Sequence, residues 1–182
     1  MKYFPTEIPE VVVLEPQVFG DERGFFMETF RSNEFNKVCS KREFVQENHS
    51  SSAQGILRGL HYQIQQPQGK LVRVVKGTVY DVAVDMRKSS PTFGKWVGVE
   101  LSAENKRQLW VPDGFAHGFY VMSEYAEFVY KCTDYYAPKF ERSLLWSDKS
   151  LKIDWPLAGG NMPTLSGKDA DAPTFELADK FT

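Results

Sequence analysis

Leu71-Val-Arg-Val-Val-Lys-Gly-Thr-Val-Tyr-Asp-Val-Ala-Val-Asp85 consists of two β-branched runs either side of Gly77. Val, Thr and Tyr favour the pleated chain, and the Lys-Gly-Thr step between the runs predicts a hairpin. The same texture continues outward. Apolar and aromatic runs fall at Val11–Glu15, Phe25–Phe30, Phe44–His49, Leu57–Gln63, Lys70–Lys76, Val79–Asp85, Trp96–Leu101, Arg107–Val111, Gly118–Met122 and Glu127–Thr133, with Gly, Pro, Asn, Asp or Ser between them. A spacing of roughly 8–15 residues with turn signals between strands favours a sandwich or barrel over βαβ units. Helical patterning is thin: Ser32–Val38 reads as one short helix with Ser32 as N-cap, and the segment after Ser166 as a further turn. The expectation is an all-β jelly-roll barrel with a few short helices.

The 182 residues suffice for one domain with a substantial core, and no repeat, low-complexity tract or linker divides residues 1–182. From Pro156 to Thr182 the chain is loop-like, yet Trp155, Phe175 and Phe181 predict that this tail packs down. An aromatic content of 14% suits an all-β core or a pocket lined with ring faces. With a net charge of −2 there is no general excess of Lys and Arg, which argues against nucleic acid or a membrane surface as partner. A local basic pocket for phosphate is still allowed. Cys39 and Cys132 lie far apart without a CxxC and read as reduced thiols. Met1–Glu10 lacks the apolar stretch of a signal peptide, and no run approaches the ~20 apolar residues of a membrane helix. The expected location is the cytoplasm.

No GxGxxG opens a helix, and GxxxxGK[ST], HExxH and GxSxG are all missing. Two partial signatures remain. Gly55-Ile-Leu-Arg-Gly-Leu-His61 follows the first cupin pattern as far as its first His, but Gln63 stands where the second His belongs and no Glu follows at the required distance. Pro112-Asp-Gly-Phe-Ala-His117 matches the Pro-x-Gly-x-x-His of the second. A metal cupin needs about four ligands. His61 and His117, without a partner carboxylate, do not supply them, so no metal is expected. Without metal, a barrel lined by His, Lys and Tyr suits proton transfer: His as general base, Lys where an enolate develops, Tyr as proton donor.

Taken singly, each of these residues has a plain alternative reading. A lone strand His is often structural, Lys70 at a strand start is normally a solvated edge residue, and Tyr130 shares strand parity with Phe128 as a core aromatic would. Arg23 and Arg58 read as surface charges, and Asp169 as an acid in a turn capped by Ser166.

Taken together, seven words in order resemble the dTDP-4-dehydrorhamnose 3,5-epimerase family over nearly the whole chain. They are Asp21-Glu-Arg-Gly-Phe-Phe-Met-Glu28, Phe44-Val-Gln-Glu-Asn-His-Ser50, Leu57-Arg-Gly-Leu-His-Tyr-Gln63, Gln68-Gly-Lys-Leu-Val72, Val111-Pro-Asp-Gly-Phe-Ala-His-Gly-Phe119, Tyr130-Lys-Cys-Thr-Asp-Tyr-Tyr136 and Leu165-Ser-Gly-Lys-Asp169. The resemblance implies a homodimeric, cofactor-free and metal-free cupin-like jelly roll. Its substrate would be dTDP-4-dehydro-6-deoxy-D-glucose and its product dTDP-4-dehydro-L-rhamnose. It implies that His61 takes the proton, Tyr130 returns one, Asp169 orients His61, and Lys70 steadies the enolate oxygen. It further implies that Arg23, Arg58 and Lys168 meet the diphosphate, that Glu28, Gln46, Asn48 and Glu141 hydrogen-bond base and sugars, that His117 contacts sugar or phosphate, and that Phe19 and Tyr136 offer ring faces to thymine. Two alternatives stand beside it. One is a single-carbon epimerase of another dTDP-deoxysugar pathway, which product analysis would separate. The other is a non-catalytic sugar-binding jelly roll or a metal cupin, against which the intact set His61, Lys70, Tyr130 and Asp169 argues.

Overall fold

The computed structural model describes residues 1–182. Its thirteen strands are β1 (Lys2–Pro5), β2 (Val12–Glu15), β3 (Val18–Asp21), β4 (Gly24–Met27), β5 (Gln46–Ala53), β6 (Leu57–Gln63), β7 (Lys70–Lys76), β8 (Thr78–Asp85), β9 (Trp96–Ser102), β10 (Gln108–Val111), β11 (Phe115–Val121), β12 (Tyr125–Cys132) and β13 (Glu141–Ser143). Two short helices, α1 (Ser32–Val38) and α2 (Gly167–Ala170), complete it. The order β1-β2-β10-β7-β12-β5 forms one sheet and β13-β6-β11-β8-β9 a second, while β3 and β4 pair only with each other. The all-β jelly roll expected from the sequence is therefore realised as two facing sheets, each hydrogen-bonded internally.

Side-chain alternation explains the layers. On β8, Val79 and Ala83 face the core between the sheets with Val72, Leu109, Phe119 and Phe128. Val82 and Val84 point the other way, into a second cluster with Trp146, Leu151 and Trp155. Leu71 and Trp110 cover the outer face of the first sheet with Phe35 of α1. Burying each such side chain is worth about 1.5–3 kcal/mol, and the two outer clusters explain how short helices and a long tail stay attached. Only seven residues long, α1 would be marginal alone. It is held by Phe35, whose ring lies 5.1 Å from Trp110 and 5.3 Å from Phe44. The tail packs as expected. Trp155 donates its indole N–H to the Trp146 carbonyl at 2.9 Å, and Phe181 exchanges backbone hydrogen bonds with Met86 and Lys88. No helix is long and apolar enough to cross a membrane, and both cysteines are free.

Three sequence expectations are corrected. The Leu71–Asp85 stretch is not a hairpin: β7 pairs with β10 and β12, whereas β8 pairs with β9 and β11. The chain crosses between sheets at Gly77, whose φ of +76° suits a corner as well as a tight turn. A Cβ at Gly77 would run into the Tyr125 carbonyl and the Ser123 hydroxyl, and an irregularity in the β7–β12 register just before it turns β7 out of its sheet. Ser32 is the first helical residue rather than the N-cap; Arg31 holds that position without a side-chain hydrogen bond. The strand expected at Phe25–Phe30 ends at Met27, and β1, β3 and β13 had no counterpart in the sequence reading.

One close approach of strands sets the position of the site. Gly59 has φ +125°, and a Cβ there would lie 2.5 Å from the Gly118 Cα and 2.9 Å from the His117 carbonyl. A Cβ on Gly118 would likewise lie 2.5 Å from the Arg58 carbonyl. Bare glycines therefore let β6 and β11 touch beside His61 and His117, which are register partners. Gly118→Ala should force the strands apart. Overpacking costs about 1–3 kcal/mol, so calorimetry should show Tm lowered by roughly 3–10 °C; an unchanged Tm would contradict this packing.

Candidate active site

At one end of the space between the sheets the apolar core gives way to a cavity of about 670 Å³. Seven of the residues expected to act on substrate line it: His61 and Arg58 from β6, Lys70 from β7, His117 from β11, Tyr130 from β12, and Lys168 and Asp169 from α2. Phe119 and Phe128, stacked with ring centroids 4.2 Å apart, form its apolar floor.

His61 and Asp169 meet at 2.5 Å between Nε2 and Oδ1. Two backbone features deliver the acid. Ser166 caps α2 by accepting the Asp169 N–H at 3.2 Å, and residues 55–57 exchange hydrogen bonds with Thr164, stitching the segment to the start of β6. Burial works to raise the Asp169 pKa, but hydrogen bonds from His61, Ser166 and the Gly59 N–H outweigh it and hold the carboxyl below its ordinary range. The Asp169 carboxylate thus engages Nε2, leaving Nδ1 of His61 as the nitrogen available for a proton.

Across the cavity, Lys70 and Tyr130 stand on neighbouring strands of the first sheet. Lys70 is not the solvated edge residue its place in the sequence suggested, because β7 runs between β10 and β12. Burial pulls its pKa down, opposed by Cys132, Asp81 and Glu141. Burial, then Cys132, pushes the Tyr130 hydroxyl up, so Tyr130 keeps its proton through the neutral range. It packs on the core beside Phe128 and also lines the cavity.

At the mouth, Arg58 donates from Nε to Ser52 at 2.9 Å and remains exposed. Lys168 pairs with Glu141 at 2.8 Å, and Glu141 also accepts the Tyr136 hydroxyl at 3.1 Å. Burial works to raise the Glu141 pKa, but the hydrogen bond and charge of Lys168 outweigh it and leave Glu141 a lowered carboxylate. The Tyr136 N–H donates to Gln46, and Gln46 donates to Asn48, at 2.9 and 3.1 Å. These four residues form a hydrogen-bonded rim rather than a lining. Phe19, Arg23 and Glu28 are elsewhere. Phe19 and Arg23 belong to the isolated β3–β4 hairpin and Glu28 follows it directly; Arg23 pairs with Asp21, Glu28 with Arg31, and none lines the cavity.

The motif reading alone gives the two histidines no partner carboxylate; the resemblance supplies Asp169 for His61, and Asp81 is missed by both. His61 and His117 do have partner carboxylates, Asp169 and Asp81, but each acid serves one imidazole, and no group of three or more His, Cys, Asp or Glu side chains is arranged to hold a metal. Asp81 accepts from His117 Nε2 at 2.8 and 3.0 Å. Strand parity was the available signal: Asp81 alternates with Val79 and Ala83, which marks an acid on a core-facing strand face.

The family model of dTDP-4-dehydrorhamnose 3,5-epimerase matches residues 5–176. The chain is 59% identical over 182 residues to the dTDP-4-dehydrorhamnose 3,5-epimerase of Pseudomonas aeruginosa, covering 100% of this chain and 99% of that one. It is 60% identical over 183 residues to the enzyme of the same name from Shigella flexneri, with coverage of 100% and 99%. Among solved structures it resembles the dTDP-6-deoxy-D-glucose-3,5-epimerase of Legionella pneumophila in complex with dTDP-4-keto-L-rhamnose, with TM-score 0.94, 55% identity, and 98% and 94% of the two chains covered. The chain belongs to the dTDP-4-dehydrorhamnose 3,5-epimerase family.

Proposed function

We propose that this chain, as a single domain, inverts C3 and C5 of dTDP-4-dehydro-6-deoxy-D-glucose to give dTDP-4-dehydro-L-rhamnose, by proton removal and return beside the C4 ketone. One observation carries the reading: an imidazole–carboxylate pair stands on the wall of one sheet, and a phenol and a lysine amine stand on the wall of the other. The ketone acidifies the hydrogens on both flanking carbons. His61 Nδ1 takes the proton, the C–H electron pair becomes the enolate double bond, and the C4 oxygen gains the charge that Lys70 meets. Tyr130 then gives its proton to the opposite face of the same carbon. Asp169 keeps the His61 ring in one tautomer and steadies the imidazolium that forms. At the mouth, Arg58 and Lys168 take the diphosphate, His117 contacts the sugar, and the Gln46–Asn48–Tyr136–Glu141 rim receives the nucleoside, with Tyr136 stacking on the base. The chemistry derived in this way uses side chains alone.

We further propose that the active form is a homodimer. The β3–β4 hairpin exposes Phe19, Phe25 and Phe26, each more than half accessible, and carries Arg23, with Glu28 just beyond it, away from the cavity of its own chain. A second copy would bring those residues to the mouth of its neighbour's cavity.

His61→Ala should reduce kcat by at least ~10³ with dTDP affinity little changed, since general-base loss costs ~10²–10⁴ at one step and this base serves two carbons. Asp169→Asn should also be severe. Retention of a tenth of normal turnover in His61→Ala would identify another base. Tyr130→Phe should let deuterium from solvent enter at C3 or C5 while inversion fails; loss of both together would make the phenol part of enolate formation. Mixed subunits test the dimer. Arg23→Ala and His61→Ala chains, each inactive alone, should recover up to about a quarter of native activity after co-refolding, because a mixed pair regains one intact site. No recovery would place Arg23 with its own chain's His61.

A further inference from the structure

The segment that carries Tyr136 joins β12 to a single helical turn at Pro138–Phe140, and residues 134–136 make no hydrogen bond to another backbone group. Three glutamine side chains hold it instead. Gln68 donates to the Asp134 carbonyl at 2.8 Å, and Gln46 accepts the Tyr136 N–H at 2.9 Å. Gln63 takes one group on each side of Tyr136. Its Nε2 donates to the Tyr135 carbonyl at 3.2 Å, and its Oε1 accepts the Ala137 N–H at 2.8 Å. The same Nε2 also donates to the Gln66 carbonyl at 2.7 Å, in the connection from β6 to β7. Gln63 is buried, and both ends of its amide are engaged.

Gln63 is also the residue that breaks the first cupin signature, standing where the second His belongs. The hydrogen bonds give that departure a purpose. Two N–H donations and one acceptance from a single neutral group are what a carboxamide supplies. A neutral imidazole has one N–H, so a His here would leave a carbonyl of Tyr135 or Gln66 without its donor. Across β6 and β13 the register partner of Gln63 is Glu141, which accepts the Tyr136 hydroxyl at 3.1 Å. One facing pair therefore holds Tyr136 at both ends, Gln63 by the peptide groups on either side of it and Glu141 by the phenol. The ring between them is still 52% exposed at the rim. Ordering an exposed side chain on an irregular turn costs entropy at the moment of binding unless the fold has already fixed it.

We propose that Gln63 is a positioning residue for base recognition: its buried amide fixes the peptide groups flanking Tyr136, so that the ring is already in place to stack on the nucleobase. The inference deepens the reading of Tyr136 as the stacking residue and rests on it. A glutamine that served stability alone would affect a ligand with a base and a ligand without one alike.

The test is titration calorimetry of dTDP and of inorganic pyrophosphate with the native protein, Gln63→Met, Tyr136→Ala and the double variant. Gln63→Met keeps the length and bulk of the side chain and deletes its three hydrogen bonds. The Kd for dTDP should rise about fivefold or more, the weaker end of one base–aromatic stack, while that for pyrophosphate moves by less than about twofold. In the Tyr136→Ala background Gln63→Met should cost no further dTDP affinity, because a positioning residue acts only through the group it positions. Native dTDP affinity in Gln63→Met beside an impaired Tyr136→Ala overturns the proposal alone. So does an equal loss for both ligands, or the full loss repeated in the Tyr136→Ala background. Native dTDP affinity in Tyr136→Ala is a separate failure, which removes the stacking reading and the proposal with it. Should Gln63→Met not fold, hydrogen exchange on the native protein decides. The Ala137 amide must be protected without ligand, and exchange at the rate of an unstructured peptide overturns the proposal.

Discussion

The contact between His61 and Asp169 joins residues 108 positions apart in the chain, and much of the second half of the molecule is arranged so that it can form. An aspartate brought that far into the protein needs its charge satisfied at every step. Ser166, the Gly59 N–H and the imidazole itself do so. The segment that carries it must also be fixed in place. Thr164 pairs with the backbone at residues 55–57, and upstream Trp146, Leu151 and Trp155 cover the outer face of the second sheet. The apolar burial of the tail therefore has a chemical consequence: it sets where one carboxylate stands relative to one imidazole.

The same constraint governs the other charges. Phe119 and Phe128 make the floor of the cavity apolar, and an apolar surround strengthens electrostatic contacts and raises the cost of an unpartnered charge. The cavity meets this by grouping. Asp169 with His61, Asp81 with His117, and Glu141 with Lys168 each join an acceptor to a donor across different strands or helices. Lys70 alone stands without a contact partner, which is the state wanted for the role proposed for it, meeting charge that appears only during reaction.

Where local chemistry decides structure, the sequence was legible. Leu57–Gln63 and Lys70–Lys76 run as strands over the residues expected of them, because β-branched and apolar residues between turn formers leave little choice. Ser166 caps the turn that presents Asp169. Legibility ends where a distant partner decides. Gly77 carries the same signal for a hairpin and for a corner between sheets, and only the pairing of β7 with β12 separates them. The candidate catalytic and binding positions come from the resemblance, since the plain readings of Lys70 and Tyr130 as edge and core residues are equally available from pattern alone. Asp81 escaped both routes, although its parity with Val79 and Ala83 marked it. Arg23 and Glu28, which the resemblance assigns to the diphosphate and to the base and sugars, stand on or just beyond a hairpin that pairs with no other strand and lie away from the cavity of their own chain.

Inversion at a carbon requires removal from one face and delivery to the other, and a two-sheet architecture provides two walls without further apparatus. His61 belongs to the five-stranded sheet, Tyr130 to the six-stranded sheet, and the sugar ring proposed to lie between them would present opposite faces to each. Lys70 sits on the strand next to Tyr130, its register partner being Cys132, two residues along the same strand face. The lysine amine would then approach the C4 oxygen from the donor's wall while the base works from the other. Since C3 and C5 flank that one oxygen, a single enolate-stabilising group can serve both carbons, and the ring need only shift to bring the second hydrogen to His61. On this geometry the difference between inverting one carbon and two rests less on the identity of the acid and base than on how far the rim and the nucleotide contacts allow the sugar to move between the walls.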